Sequence, residues 1–201
     1  MPSQPTLRPD NRLFVALDLP DGLRDLLAAV GAQVARDAGG RAVPAENMHL
    51  TVAFLGTVPV AAGPQLCERL VEALAGPAPR LRPGRPVARP SPRRAQLVAV
   101  ELDDVDGVLA DMAARVERVC GAVLSGYAAD RRPFWPHVTV ARFRRPGDVR
   151  RFPPIEHEHV FDITRASLYD SHITPGEPPR YEALKEVMLD GSFAERSPSH
   201  G

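Results

Sequence analysis

Lysine is nearly missing from this chain: Lys185 is the only one among 25 basic residues, and the other 24 are Arg. A GC-rich genome accounts for such a bias, and Arg is also the better fork for phosphate oxygens. Composition supports either account. Cysteine is scarce too, with Cys67 and Cys120 alone and no C-x-x-C pair, which removes a disulfide framework and leaves buried free thiols of a reducing compartment. Charge of one sign is absent, since 25 acidic residues balance 25 basic ones. No global field draws the chain to nucleic acid or membrane, so any attraction for polyanions must be local. Long apolar runs are missing, and the opening MPSQPTLRPDN has no apolar h-region, so a cytoplasmic protein with no membrane partner is expected. There is no Gly-rich phosphate loop and no nucleophile elbow, so neither nucleoside triphosphate nor a Ser or Cys nucleophile is implied.

What the chain does have is one signature twice: HLTV at His49 to Val52 and HVTV at His137 to Val140. Each lies in an apolar run that reads as a strand, and strand side chains alternate faces. The His and the Thr two residues later therefore point the same way, while Leu50, Val52, Val138 and Val140 take the core face. One such His would read as a structural residue. Two copies in like settings read as a site.

The order of elements also repeats. Arg12 to Leu19 reads as a strand, followed by an amphipathic helix from Pro20 to about Ala38, a strand at Met48 to Leu55 and a helix from about Ala61 to Leu74. The pattern restarts with a strand at Gln96 to Leu102, a helix at Val105 to Val119 and a strand at Phe134 to Phe143. FVALDLPDGLRDLL can be laid over VAVELDDVDGVLADM, so a duplicated lobe is expected, with its His strands across a common cleft. Strands at Val160 to Tyr169 and Tyr181 to Leu189 complete the second half. The expected lobes are residues 12–78 and 96–190, with disordered ends at 1–11 and 191–201. The connection, 79–95, is dense in Pro and Arg. It reads either as an edge strand and surface loop or as a basic ridge of Arg80, Arg82, Arg85, Arg89, Arg93 and Arg94 that guides an RNA backbone.

Two imidazoles near pKa 6.5 can hold opposite protonation states, so one takes a proton while the other gives one. That suits in-line displacement at phosphorus, with Thr hydroxyls donating to the non-bridging oxygens. Neither signature has a second ligand beside it, so no metal and no cofactor is expected. His157-Glu158-His159 has same-face spacing but lies in a charged, solvated stretch.

NMHLTVAFLG and RPFWPHVTVARF, in two similar halves after RLFVALDLP, resemble the two-histidine phosphoesterases, and within them the RNA 2',3'-cyclic phosphodiesterases once described as 2'-5' RNA ligases. The resemblance covers roughly residues 12 to 190. It implies an α+β, bilobal, pseudo-two-fold fold in which antiparallel sheets line a central cleft with helices outside. It also implies metal-independent opening of a 2',3'-cyclic phosphate at an RNA end, or in a small cyclic nucleotide, to leave a 2'-phosphate.

By the same resemblance His49 is the proton donor to the leaving oxygen and His137 the base that activates water, an assignment the residues alone leave open. Thr51, Thr139 and Arg142 would hold the phosphate. Strict alternation sends Arg142 to the wrong face, so a bulge or a strand end must redirect it. Phe14 and Trp135 would either stack on a base or belong to the core. The alternatives are 2'-5' RNA ligation by the reverse reaction and non-catalytic binding of RNA or nucleotide phosphate. A monomer is expected.

Overall fold

Alternating apolar and polar residues in this chain produce two antiparallel sheets, and the computed structural model describes residues 7–130, 132–155, 158–174 and 176–189. The first sheet contains β1 (Leu13–Asp18), β3 (His49–Gly56), β8 (Arg165–His172) and β9 (Arg180–Met188) in the order β3-β1-β8-β9. The second contains β2 (Arg41–Ala42), β4 (Arg80–Arg89), β5 (Ala95–Asp104), β6 (His137–Gly147) and β7 (Phe161–Asp162) in the order β2-β6-β5-β4-β7. Among the described residues three α-helices complete the fold: α1 (Asp21–Ala38), α2 (Gly63–Leu74) and α3 (Leu109–Val123). The two signature strands, β3 and β6, are where the sheets approach each other.

The helices change partners. α1 follows a strand of the first sheet but packs on β6 and β2 of the second, while α3 follows β5 of the second sheet and packs on β3 of the first, beside α2. β8 and β9 also join β1 and β3. Each sheet therefore draws on both halves of the chain, and the halves interleave rather than forming separate globules. The run expected as one strand over Val160 to Tyr169 is the crossing point: β7 pairs with β4, buried Ile163 follows, and β8 then pairs with β1.

Other differences have local causes. Residues 7–11 are packed rather than disordered. Leu7 is buried against α2, where a Cβ on Gly63 would lie 2.7 Å from it. Asn11 exchanges hydrogen bonds with both backbone groups of Val58, at 2.8 Å each. α3 starts four residues after the expected Val105, because the Asp104 carboxylate accepts from the backbone N–H of Gly107 and Leu109 and holds the intervening residues as a turn. The Pro/Arg connection is mostly strand: β4 pairs with β5 along its length, and Pro83 and Pro86 flank its register break, where a missing N–H costs little. The expected disordered tail, 191–201, lies outside the described residues.

Candidate active site

The two signature strands have the same burial rhythm. His49 and Thr51 are half-buried, Leu50, Val52 and Ala53 are buried and Phe54 is exposed. His137 and Thr139 are half-buried, Val138, Val140 and Ala141 are buried and Arg142 is exposed. Registers match as closely. Asp18 faces His49, Ala16 faces Thr51, Val15 faces Ala53 and Phe14 faces Phe54. On the other sheet Glu101 faces His137, Ala99 faces Thr139, Val98 faces Ala141 and Leu97 faces Arg142.

Between the Thr and the fifth residue after the His, each register skips one residue, Val52 in β3 and Val140 in β6. A bulge of one residue inverts the alternation beyond it. Arg142 consequently returns to the face that carries His137 and Thr139, and Phe54 to that of His49 and Thr51. Helix α1 supports the second bulge at close range, since a Cβ on Gly31 would lie 2.4 Å from the Val140 carbonyl oxygen.

Both imidazoles are held by one device. The Nδ1–H of His49 donates to the carbonyl of Asn47 at 2.9 Å, and that of His137 to the carbonyl of Trp135 at 2.7 Å. Each bond spans two residues back along the chain and directs Nε2 away from it. Phe14 and Tyr181 surround His49, with ring centroids 4.8 and 5.1 Å away, and Trp135 stacks on His137 at 3.8 Å and 15°.

Burial pushes the His49 pKa down to about 4, with the charges of Arg142 and His137 adding to the effect and the Asn47 carbonyl and Asp18 opposing it. Burial lowers that of His137 as well, assisted by Arg89 and Arg142. Both rings are neutral near pH 7, and each offers an Nε2 lone pair. The charge of Arg142 reaches both rings, and that of His137 reaches His49. One face of β3 thus carries His49 and Thr51, one face of β6 carries His137, Thr139 and Arg142, and the two strands adjoin.

Three further features lacked a clear sequence signal. Asp18 is buried and accepts from Arg165 Nε at 2.9 Å, Ser167 Oγ at 2.7 Å and the Tyr169 hydroxyl. Glu101 accepts from Trp135 Nε1 at 3.1 Å and Arg85 Nε at 2.8 Å. The overlay of VALD on VAVE could have identified these cross-strand acids as a pair. Phe54, 72% exposed, is an open aromatic ring on the face of the first sheet that carries His49 and Thr51. Phe14 is only 3% exposed, enclosed by His49, Phe54, Tyr169 and Tyr181. It braces the rings around His49 and has no open surface for a base.

Other candidates separate from this site. A groove of about 410 Å³ between α2 and α3, lined by Arg69, Glu72, Arg115 and Arg118 among others, contains neither signature. His157 lies outside the described residues, and His159 packs against Phe161. Among the described residues no three His, Cys, Asp or Glu side chains are grouped as a metal site requires, and no helix is long and apolar enough to cross a membrane. Cys67 and Cys120 are free, and burial raises both thiols, Cys120 to about 12.

A family model described as LigT like Phosphoesterase matches residues 17–94, which contain the first signature. The RNA 2',3'-cyclic phosphodiesterase of Escherichia coli (strain K12) is 31% identical over 182 residues, covering 89% of this chain and 96% of that protein. The protein of the same name from Thermus thermophilus is 28% identical, covering 90% and 91%. The crystal structure of E. coli LigT complexed with 3'-AMP superposes with a TM-score of 0.73 at 26% identity, covering 90% of this chain and 98% of that one.

Proposed function

Since the chain belongs to the LigT-like phosphoesterases, we propose that it opens the 2',3'-cyclic phosphate at an RNA end to leave a 2'-phosphate, using His49 and His137 as the proton-transferring pair. The observation that carries this reading is the matched pair of imidazoles. Each is pinned through Nδ1 to the carbonyl two residues back, and each is followed on the same face by a Thr and, past a bulge, by a fifth residue.

In the reaction, neutral His137 takes a proton through Nε2 from the attacking water, whose oxygen bonds to phosphorus as the bond to the 3' oxygen breaks. His49 protonates that oxygen through Nε2. The roles rest on the family assignment, and the fixed Nδ1 contacts make either ring competent for either role. A His49 neutral in the free protein must gain its proton with the substrate, whose anionic phosphate beside both rings and Arg142 raises the pKa that burial had lowered. Thr51, Thr139 and Arg142 hold the non-bridging oxygens, where charge gathers in the transition state. Trp135 orients His137, and Phe54 receives the terminal base.

Product analysis tests this. Incubated in EDTA with an oligoribonucleotide ending in a 2',3'-cyclic phosphate, the protein yields a 2'-phosphate end. A 3'-phosphate, or an unchanged end, overturns the reading. Added 5'-hydroxyl RNA reports a 2'-5' linked product if ligation is the activity, and binding with no turnover identifies a binder.

A further inference from the structure

The arginines of β4 fall into two groups. Arg80 pairs with Asp106 at 2.7 Å, Arg82 with Asp103 at 3.3 Å and Arg85 with Glu101 at 2.8 Å, so this part of the basic ridge expected from sequence is neutralised by acids on β5 and the turn after it. Arg89, at the end of β4, forms no ion pair with a carboxylate among the described residues, although its charge reaches Glu101, which is held by Arg85 and Trp135; its guanidinium lies over the Trp135 ring, 4.6 Å from the centroid, and a cation–π contact leaves the charge in place.

Register puts Arg89 in a row. It faces Leu97 on β5, Leu97 faces Arg142 on β6, and Arg142 faces Arg41 on β2. Residues directly opposite one another in an antiparallel sheet share a face, so Arg41, Arg142 and Arg89 all project from the face that carries His137 and Thr139. All three are exposed, and none forms an ion pair with an acid among the described residues. Arg41 and Arg142 are immediate cross-strand neighbours of like charge, an arrangement that is destabilising by itself and that a chain of phosphates laid along the row relieves. At about 4.8 Å per strand the row spans on the order of 15 Å, more than a single phosphate group can bridge.

We propose that this row holds the phosphodiester backbone of the nucleotides upstream of the cyclic end, with Arg41 and Arg89 reaching beyond the reacting phosphate. The proposal rests on the function given above for the same site. The two sheets then divide the work, with aromatic Phe54 on one and the guanidinium row on the other. Only a polymer presents several phosphates in line, so Arg142 serves any substrate of the site while Arg41 and Arg89 serve the longer one.

The test compares kcat/KM for an oligoribonucleotide ending in a 2',3'-cyclic phosphate with kcat/KM for a mononucleoside 2',3'-cyclic phosphate. In Arg41→Gln and in Arg89→Gln the ratio of the two falls about tenfold. The salt dependence of log kcat/KM on the oligonucleotide becomes shallower by about 0.7 for each phosphate that the variant no longer neutralises. Arg82→Gln, which removes the same charge from a neutralised position, leaves the ratio where it was. A ratio unchanged in Arg41→Gln and Arg89→Gln, or lowered equally by Arg82→Gln, overturns the row. If the unmodified protein turns over neither substrate, the proposed function fails separately. Anisotropy of a labelled oligoribonucleotide then decides the row, which predicts weaker binding by Arg41→Gln and Arg89→Gln than by Arg82→Gln and is overturned by equal binding.

Discussion

Phe54 and Arg142 occupy the same position in two copies of one strand register. Each lies five residues after a signature His and just past a one-residue bulge, and each faces the residue four places before a cross-strand acid, Phe14 before Asp18 and Leu97 before Glu101. The backbone plan is duplicated while the side chains diverge, with an exposed ring on one sheet and an exposed cation on the other. A nucleotide has a π face and a charged backbone, and the two positions match those two needs.

The Phe54 ring is 72% exposed, so it contributes little to the core. Phe54→Ala is expected to lower kcat/KM about ten- to a hundredfold, the equivalent of losing one base stack of about 1–3 kcal/mol. The loss appears mainly in KM, because stacking is present in ground and transition states alike. Thermal melting should stay within about 2 °C of the unmodified protein. A drop in melting temperature with unchanged kinetics would make Phe54 a structural residue.

His49→Ala and His137→Ala each remove a proton-transfer group and are expected to lower kcat/KM on the order of a thousandfold or more. Thr51→Val and Thr139→Val retain shape and delete one hydrogen bond each, so losses of roughly tenfold are expected. Steady-state rates on a cyclic-phosphate end decide between the groups. Losses of equal size for Thr and His would assign the Thr a role beyond holding an oxygen.

Strand positions were legible because inward Leu, Val and Ala alternate with the His and Thr in HLTV and HVTV. Two bulges were not, since Val52 and Val140 look like ordinary core residues, and nothing local indicates which one a partner strand will skip. The aim of Arg142 therefore required the register. Helix packing was hidden for a similar reason: α1 and α3 are amphipathic, and an apolar stripe does not specify which sheet it covers. Asp103 and Asp106 decide whether Arg82 and Arg80 are free, and that pairing is fixed by β4 meeting β5 across the chain. Composition alone could show the arginines as a ridge but could not separate the neutralised ones from Arg41 and Arg89.

Gly31 joins that packing to the site. Gly31→Ala places a methyl group 2.4 Å from the Val140 carbonyl oxygen, and backbone cannot swing aside as a side chain can. The helix must separate from the bulge, at about 1–3 kcal/mol, and activity should fall as Arg142 loses its aim. Gly121, in the last turn of α3, meets nothing within 4 Å. Gly121→Ala should raise stability by up to about 1 kcal/mol. Urea denaturation of the two variants gives the comparison, and equal shifts would show that the α1 contact is not tight.

Acid should weaken the fold through His49. Its pKa is about 4 in the folded protein against about 6.5 in an unfolded chain, so between those values the unfolded state binds more protons and stability rises with pH. The contribution is present in full above about pH 6.5 and is lost as pH falls toward 4, at most about 3 kcal/mol. His137, lowered for the same reason, adds in the same direction. Glu101 and Asp170, whose pKa values are lowered by their Arg partners against the effect of burial, act only below about 4.5 and leave the window to the imidazoles. Melting temperature should therefore fall between pH 7 and pH 5, and fall less in His49→Gln, which has no proton to gain. Sulfate, whose charge is constant over this range, should stabilise the protein more at pH 5.5 than at pH 8, because an anion beside the two rings favours their protonated forms. His49→Gln should reduce that difference, and sulfate protection independent of pH in both proteins would mean that the anion binds away from His49.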